Sequence, residues 1–199
     1  MDSLSNFNTN GFCQVKEFIP GYFADFLQNY FTLRAGTDPK VYSGDPQVPN
    51  CHSVYGDPAF DMVMAMSTED IGKIIGKKLI PQYSYSRIYQ KGAILHRHTD
   101  RPECEYSVTL SLGGEYEKPW PFWIKDYSGN DLQLSLDRGD CLVYHGTKLE
   151  HWREELTGGC QYQIFMHYVD ADGEFKDRTF DDRPNLGLPA DTKDKSKWI

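Results

Sequence analysis

The spacing of apolar residues along the chain changes near residue 79. Before that point, apolar residues recur every three or four positions in two segments, which predicts two helices. The first helix follows Pro20, a residue suited to opening a helix, and the second runs from about Pro58 to Lys77 with a Met cluster expected to fill the core. The repeating residues of the first helix are Tyr22, Phe23, Phe26, Leu27, Tyr30 and Phe31.

Two other segments of this N-terminal part have different patterns. Residues 11–19 (GFCQVKEFI) predict a short strand that ends at Pro20. Residues 34–56 are rich in Gly, Pro, Asp and Ser and predict a long loop. Long loops in compact domains often have a function, so this loop is a candidate lid over a substrate.

From Leu79 to Asp170 the pattern becomes that of short strands separated by turn residues, with no helical pattern between them. One segment alternates strictly, which places Tyr83, Tyr85, Arg87 and Tyr89 on a single face. The order favours a mostly β, α+β fold in which a barrel or two facing sheets carry the helices outside. We predict a single domain, 1–199, with an N-terminal part at 1–78, a β core at 79–170 and a charged tail at 171–199 that wraps the surface or is partly disordered.

Composition excludes several classes of protein. The 199 residues carry 21 Lys and Arg against 29 Asp and Glu, a net charge of −8 that argues against general nucleic-acid binding. The five cysteines form no CxxC pair, so free thiols in a reducing compartment are expected. The N-terminus has no signal-peptide pattern and no apolar run has membrane-spanning length. We therefore expect a cytoplasmic protein with no membrane partner; the sequence leaves its oligomeric state open.

A possible metal site lies in the β region. His98 and Asp100 are two residues apart, so in a strand both point to the same face and can bind one ion, and His151 follows a later strand. Two His and one carboxylate are the ligands that non-haem iron uses while keeping three positions open. A second ligand set is available, because His96, His98 and Glu103 with His151 have the spacing of a cupin site. Strand parity alone does not separate these two sets.

The order of motifs between Leu79 and Asp170 resembles that of the 2-oxoglutarate/Fe(II) dioxygenases, in particular small prolyl-4-hydroxylase-like members from bacteria and phages. The motifs are YSYSRIYQKGAILHRHTDRPECEYSVTLSLG, WPFWI, LDRGDCLVYHGTKLEHWRE and QIFMHYVD. The resemblance implies a double-stranded β-helix, or jelly roll, with His98, Asp100 and His151 as the iron ligands. It further implies Fe(II), 2-oxoglutarate and O2 as cofactors. Because residue 100 is a carboxylate, it implies hydroxylation rather than halogenation.

The same resemblance suggests where 2-oxoglutarate binds. It implies that Tyr89 contacts the C5 carboxylate of the co-substrate. Many members also carry Lys or Arg on the strand after the distal His, but here Gln161 occupies that position. Arg or Lys is the natural partner of a carboxylate. The remaining candidates for this contact are Arg153, His167, Arg87 and Arg97 as cations and Gln163 as a neutral hydrogen-bond donor.

The resemblance also indicates the kind of reaction. It implies hydroxylation of a C–H bond, with a protein side chain such as proline as the expected substrate and a free amino acid or small metabolite as the alternative. The partner is therefore a peptide, a protein or a small molecule. Two other functions stay open on the residues alone: a cupin-type isomerase or metal-binding regulatory module, and a barrel that binds no metal.

Overall fold

Over residues 3–38 and 41–193, the part of the chain that it describes, the computed structural model has three α-helices and eleven strands. The helices are α1 (Ser3–Asn10), α2 (Gly21–Thr37) and α3 (Pro58–Ile75). The strands are β1 (Phe12–Val15), β2 (Tyr42–Ser43), β3 (Cys51–Tyr55), β4 (Leu79–Gln90), β5 (Leu95–His98), β6 (Tyr106–Gly114), β7 (Phe122–Lys125), β8 (Asp131–Leu134), β9 (Cys141–His145), β10 (His151–Arg153) and β11 (Cys160–Asp170).

The strands form two antiparallel sheets. The larger sheet has the order β1-β9-β6-β11-β4-β3-β2, and the smaller has the order β5-β10-β7-β8. An apolar cluster joins the two sheets, with Phe122 and Ile124 from the smaller one and Phe12, Leu142 and Tyr144 from the larger. The sheets therefore pack face to face. The fold is mostly β with helices at its flank, as the sequence predicts.

Alternation along the strands of the larger sheet separates two environments. On β6, Val108, Leu110 and Leu112 belong to the apolar core that the sheet shares with the helices. The residues that alternate with them, Ser107, Thr109 and Ser111, are fully buried on the opposite face, toward the smaller sheet. Part of the space between the sheets is thus polar, beside the apolar cluster that joins them. Burying polar groups is costly unless they have hydrogen-bond partners, so this polar interior indicates a binding site.

Both predicted helices are present. Helix α2 begins directly after Pro20, and helix α3 is capped at its start by the Asp57 side chain, which accepts a hydrogen bond from the backbone of Ala59. Helix α3 ends at Gly76, whose φ of 77° lies in the left-handed region that favours glycine. The strand predicted for residues 11–19 is present but shorter, as β1 (Phe12–Val15). Helix α1 has no counterpart among the sequence predictions.

The prediction of one loop over residues 34–56 is wrong at both ends. Helix α2 continues to Thr37, and Cys51–Tyr55 forms strand β3, which pairs with β4 in the register Cys51↔Tyr89. The turn-forming composition of the segment hides a strand whose pairing partner lies far along the chain. Between β2 and β3, a shorter loop at residues 44–50 turns back over the space between the sheets, where Gln47 borders the cavity described below.

The Met cluster and the C-terminal tail also depart from expectation. Only Met64 of the cluster is buried, whereas the neighbouring Met62 and Met66 are 58% and 76% exposed. Residues two apart on a helix point to different sides, so all three cannot fill the core. In the tail, buried Arg183 pairs with buried Asp61 at 3.0 Å, so residues 171–193 pack back onto the domain. Residues 194–199 lie outside the described part, and the division at residues 78 and 170 stays a prediction.

None of the helices in the described residues is long and apolar enough to cross a membrane. All five cysteines lie in the described residues, are buried and are free.

Candidate metal centre

Strand pairing brings the three predicted metal ligands together. His98 is the last residue of β5 and His151 is the first residue of β10, and these two residues lie directly opposite each other in the antiparallel pair. Asp100 follows β5 by two residues, and its backbone N–H donates to the carbonyl oxygen of Gly146, 2.8 Å away at the end of β9. Both sheets therefore position the site.

The donor atoms of these residues converge on a small space. Asp100 Oδ1 lies 3.7 Å from His98 Nε2 and 3.5 Å from His151 Nε2, and the three donor atoms all lie within 4.8 Å of one another. These separations are too long for good hydrogen bonds. Ligands about 2.1 Å from one ion and at right angles would lie about 3 Å apart, so the space suits an ion after a small contraction.

The backbone fixes the orientation of both imidazole rings. His98 Nδ1 lies 2.8 Å from the carbonyl oxygen of His96, and His151 Nδ1 lies 2.9 Å from that of Leu149. A carbonyl oxygen only accepts hydrogen bonds, so each Nδ1 must carry the proton. In the neutral ring that binds a metal, each Nε2 therefore presents a lone pair toward the space beside Asp100, which is the usual arrangement of metal-binding histidines.

The charges in the site suit a cation. Burial raises the pKa of Asp100, but attraction to His151 and a hydrogen bond from Ser107 outweigh burial and lower the pKa to about 2. Burial and the neighbouring His151 lower the pKa of His98, whereas Asp100 raises that of His151 against the effect of burial. The Asp100 carboxylate is thus ionised at neutral pH. Its single negative charge lies beside the two imidazole rings, where a metal ion can bind.

The cupin ligand set is not assembled. Among the described residues, the only group of three or more His, Cys, Asp and Glu donors close enough to bind one ion is His98, Asp100 and His151. Between β5 and β10, His98 pairs with His151 but Leu95 pairs with Arg153, so β5 has one extra residue there. This bulge turns His96 outward, where it is exposed. Glu103 instead forms ion pairs with Arg101 and Arg178.

A cavity of about 320 Å³ adjoins the three ligands. Its wall beside Asp100 includes Tyr83 and His167, and its wall beside His151 includes Phe122 and Tyr144. Alternating side chains of β4 and β11 supply part of the lining, and Tyr83, Tyr85 and Arg87, which the sequence predicts on one face of a strand, all line the cavity. The cavity is large enough for a small organic molecule next to the metal ligands.

Arg153 is a buried cation without a counter-charge in the described part of the chain. Its side chain points inward beside His151, since the two residues are two apart on β10, and it is 1% exposed. Its Nη1 donates to the carbonyl oxygen of Trp120 at 2.6 Å, but its Nε has no hydrogen-bond partner in the described residues. No carboxylate of those residues lies within salt-bridge distance of it. Burial lowers the pKa of Arg153 to about 10, so this position would be stabilised by an anion.

Three residues connect Arg153 to the cavity. Leu95, its pairing partner on β5, lines the cavity, and so does Phe122, whose ring centre lies 5.2 Å from the guanidinium carbon. Tyr144 lines the cavity as well and is close enough to raise the pKa of Arg153. Arg153 therefore lies next to the cavity wall on the side of His151.

Tyr89 lies beside the same group of residues. It is fully buried, its ring packs against Trp120 at 5.0 Å, and its hydroxyl accepts a hydrogen bond from Arg87 Nη1 at 3.3 Å. Arg87 is in turn held by Asp45, whose Oδ2 lies 2.9 Å from Nε. The hydroxyl proton of Tyr89 has no acceptor among the described residues, so it is available to a ligand.

The remaining predicted contacts lie on the polar face of β11. Gln163 donates to Thr109 Oγ1 at 2.6 Å and accepts from Gln161 Nε2 at 3.1 Å. His167 Nδ1 lies 3.0 Å from Ser107 Oγ, and burial lowers the pKa of His167 to about 4.

Arg97, another candidate cation, is not in the site. It lies on the outer face of the smaller sheet, stacks on Trp152 at 3.7 Å and pairs with Asp131 and Glu150.

Two residues of the site have no counterpart in the sequence predictions. Ser107 donates a hydrogen bond to Asp100 Oδ2 at 2.7 Å. Gly146 accepts the backbone hydrogen bond of Asp100, and a Cβ atom at this position would lie 2.5 Å from Asp100 Oδ2. Alternation along β6 indicates that Ser107 is on the inner face, but nothing in the sequence pairs either residue with Asp100.

Comparison with known proteins gives a clear structural result. No protein-family model matches the chain, and no curated protein matches its sequence. Among solved structures, a Pseudomonas putida prolyl-4-hydroxylase superposes with a TM-score of 0.69 at 14% identity, over 84% of this chain and 97% of that one. HygX from Streptomyces hygroscopicus, with nickel and 2-oxoglutarate bound, gives 0.68 at 14% identity, over 85% and 87%.

A viral enzyme has the same architecture. The collagen prolyl hydroxylase of Paramecium Bursaria Chlorella virus-1, in a 2-oxoglutarate complex, superposes with a TM-score of 0.62 at 13% identity, over 81% of this chain and 97% of that one. The chain therefore has the fold of the 2-oxoglutarate/Fe(II) oxygenases, including their prolyl-4-hydroxylase-like members. At such low identity, the likeness establishes the fold alone.

Proposed function

We propose that this protein is a non-haem Fe(II), 2-oxoglutarate-dependent dioxygenase that hydroxylates a C–H bond. One observation carries the proposal: His98 Nε2, Asp100 Oδ1 and His151 Nε2 converge beside a cavity, next to a buried arginine that has no counter-charge in residues 3–38 and 41–193. The two facing sheets support the finer assignment of a double-stranded β-helix. The first feature suits a metal and the second suits a carboxylate, and 2-oxoglutarate with iron satisfies both.

The donor set fits Fe(II) better than the common alternatives. Imidazole and carboxylate suit iron, whereas a thiolate-rich set would favour zinc, and none of the described cysteines belongs to the group. Three ligands on one side leave three positions for 2-oxoglutarate and O2. When bound, the iron would activate O2, which is the oxidant, and 2-oxoglutarate would supply two electrons to it through oxidative decarboxylation; the residues of this chain would hold and shield them.

Arg153 is the residue that we propose to hold the C5 carboxylate of 2-oxoglutarate. A guanidinium and a carboxylate form strong charge-assisted hydrogen bonds, and Arg153 has an unused buried Nε. The free hydroxyl proton of Tyr89 is a second donor nearby. Gln163 is engaged with its neighbours and His167 is neutral at pH 7, so both are weaker partners for a carboxylate.

For the substrate we propose a protein side chain such as proline, with a small molecule as the alternative. The similar structures include both kinds: two are prolyl hydroxylases, and HygX has been crystallised with hygromycin B. The loop at residues 44–50 is placed to contact such a substrate, because Gln47 borders the cavity and Asp45 forms an ion pair with Arg87 of the cavity wall.

The proposal is tested by adding 2-oxoglutarate to the Fe(II)-loaded protein without oxygen. We expect a weak visible metal-to-ligand charge-transfer band in the wild-type protein and its loss in His98→Ala and His151→Ala. A wild-type protein that binds Fe(II) but gives no band would instead support a metal-binding regulatory module or an isomerase. Once oxygen is admitted, proline-containing peptides and small molecules are compared for succinate release and for the gain of one oxygen atom by mass spectrometry.

A further inference from the structure

Ser107 lies at the junction of the metal centre and the cavity. It is fully buried on the inner face of β6, directly opposite His167 on the neighbouring strand β11. Its Oγ lies 2.7 Å from Asp100 Oδ2 and 3.0 Å from His167 Nδ1. One hydroxyl therefore connects a metal ligand to a histidine of the cavity wall.

The proton positions in this chain of contacts follow from what each group can donate. An ionised Asp100 has no proton, so the 2.7 Å contact requires Ser107 to donate to Oδ2. A serine hydroxyl has only one proton, so Ser107 must accept from His167 at its other contact. His167 is then the Nδ1–H tautomer. Its Nε2, which has no hydrogen-bond partner among the described residues, is an acceptor on the cavity wall.

The two oxygens of Asp100 consequently have different roles. Oδ2 is occupied by Ser107, while Oδ1 is the oxygen nearest to both imidazole Nε2 atoms. The carboxylate also has no room to swing back, because the backbone at Gly146 passes directly behind it, as the 2.5 Å separation between a Cβ atom built there and Oδ2 indicates. Asp100 is thereby held to offer a single oxygen to a metal.

We propose that Ser107 is a positioning residue that keeps Asp100 a one-oxygen ligand and so preserves an open metal position for the co-substrates. This inference rests on the proposed function. The three protein ligands leave three positions, which 2-oxoglutarate and O2 together require. A carboxylate that bound through both oxygens would take one of them. Hydrogen bonds to metal ligands commonly tune a site in this way.

The test counts the water molecules bound to the metal, which needs no substrate and no turnover. Mn(II) replaces Fe(II), and the relaxation of water protons is measured before and after saturation with 2-oxoglutarate. In wild-type protein we expect one exchangeable water to remain on the metal after 2-oxoglutarate binds. In Ser107→Ala the second carboxylate oxygen takes that position, so the inner-sphere relaxation should fall at least twofold.

Two further variants separate positioning from packing. Ser107→Thr keeps the hydroxyl and should restore the wild-type relaxation. Ser86→Ala removes an equally buried serine on β4 whose hydroxyl has no hydrogen-bond partner in the described residues, and it should behave as wild type. With 2-oxoglutarate bound, Ser107→Ala could instead show the same relaxation as the wild-type and Ser86→Ala proteins. That result would overturn the proposed role of Ser107 but not the proposed function. Failure of the wild-type protein to bind 2-oxoglutarate would overturn the proposed function as well.

A second measurement does not depend on any variant. In the Zn(II)-loaded protein labelled with ¹⁵N-histidine, NMR distinguishes protonated from unprotonated ring nitrogens. We expect His167 to have a protonated Nδ1 and an unprotonated Nε2. The opposite tautomer would refute the hydrogen-bond direction on which the role of Ser107 depends, even if Ser107→Ala failed to fold.

Discussion

Replacing Arg153 with Met tests the proposed anchor, because stability and binding should change in opposite directions. Arg153 is 1% exposed, has no counter-charge among the described residues and has its pKa lowered to about 10 by burial. Each pKa unit corresponds to about 1.4 kcal/mol, so keeping the guanidinium charged here costs on the order of 3 kcal/mol at neutral pH. This cost is present at any pH below about 10.

The substitution also removes favourable contacts. The hydrogen bond from Arg153 to the carbonyl oxygen of Trp120 is lost, and such bonds contribute about 1–3 kcal/mol. A Met side chain can keep much of the packing against Trp120 and Phe122. We therefore expect the free energy of unfolding of the metal-free protein to stay constant or to rise by about 1 kcal/mol, measured by urea denaturation.

Binding of 2-oxoglutarate should weaken strongly in the same variant. A buried charge pair that loses one partner costs about 2–4 kcal/mol in affinity, which corresponds to roughly a 30- to 1,000-fold higher Kd. The charge-transfer band, titrated with 2-oxoglutarate under anaerobic conditions, measures this change. A variant that binds 2-oxoglutarate normally but loses more than about 2 kcal/mol of stability would show that Arg153 is structural.

Arg183 provides the matched control. It is as buried as Arg153, but it pairs with the buried carboxylate of Asp61 at 3.0 Å. Arg183→Met leaves that buried carboxylate without its counter-charge, although Ser84 and Gly187 still donate hydrogen bonds to it, so we expect the substitution to cost about 3–5 kcal/mol of stability. A loss of stability in Arg183→Met that is absent in Arg153→Met would show that the missing counter-charge, and not burial itself, distinguishes Arg153.

Three other predictions concern the metal centre and pH. Asp100→Ala should abolish 2-oxoglutarate turnover without changing the far-UV circular dichroism spectrum, and wild-type turnover would refute the ligand assignment. The same variant should lower the free energy of unfolding by about 2 kcal/mol, because the pKa of about 2 indicates that the folded protein stabilises the Asp100 carboxylate. Gly146→Ala should reduce metal affinity, measured by Fe(II) titration, because the added Cβ would overlap the Cys104 carbonyl oxygen and press on Asp100 Oδ2; unchanged affinity would contradict this geometry. Burial lowers the pKa of His145 to about 4, so between pH 6.5 and 4 the unfolded state binds a proton that the folded state does not. The free energy of unfolding therefore decreases as the pH is lowered through this range, by up to about 3 kcal/mol. His145→Phe should remove that part of the acid dependence in urea titrations, and an acid limb identical to that of the wild-type protein would refute the assignment.

The sequence by itself determined the elements and most of the chemistry. Local periodicity is visible in a short window, so the two long helices and the alternating face of β4 could be predicted from the residues alone. The three residues of the candidate metal centre were also accessible, because His98 and Asp100 are close in sequence and few other donors compete. Gln161, in place of a cation, led to the prediction of another anchor for 2-oxoglutarate, and that anchor stays a prediction.

Only the tertiary structure decided between the alternatives that the sequence left open. The extra residue of β5 turns His96 outward, and strand parity cannot reveal a bulge because the bulge depends on the partner strand. Strand β3 was missed for the same reason, since its pairing with β4 is not a local property. Likewise, the lack of a described carboxylate near Arg153 and the contact between Ser107 and Asp100 depend on residues that approach each other only when both sheets have formed. The local pattern determines which face of a strand a side chain occupies, whereas the long-range register of the strands determines which residues that side chain contacts.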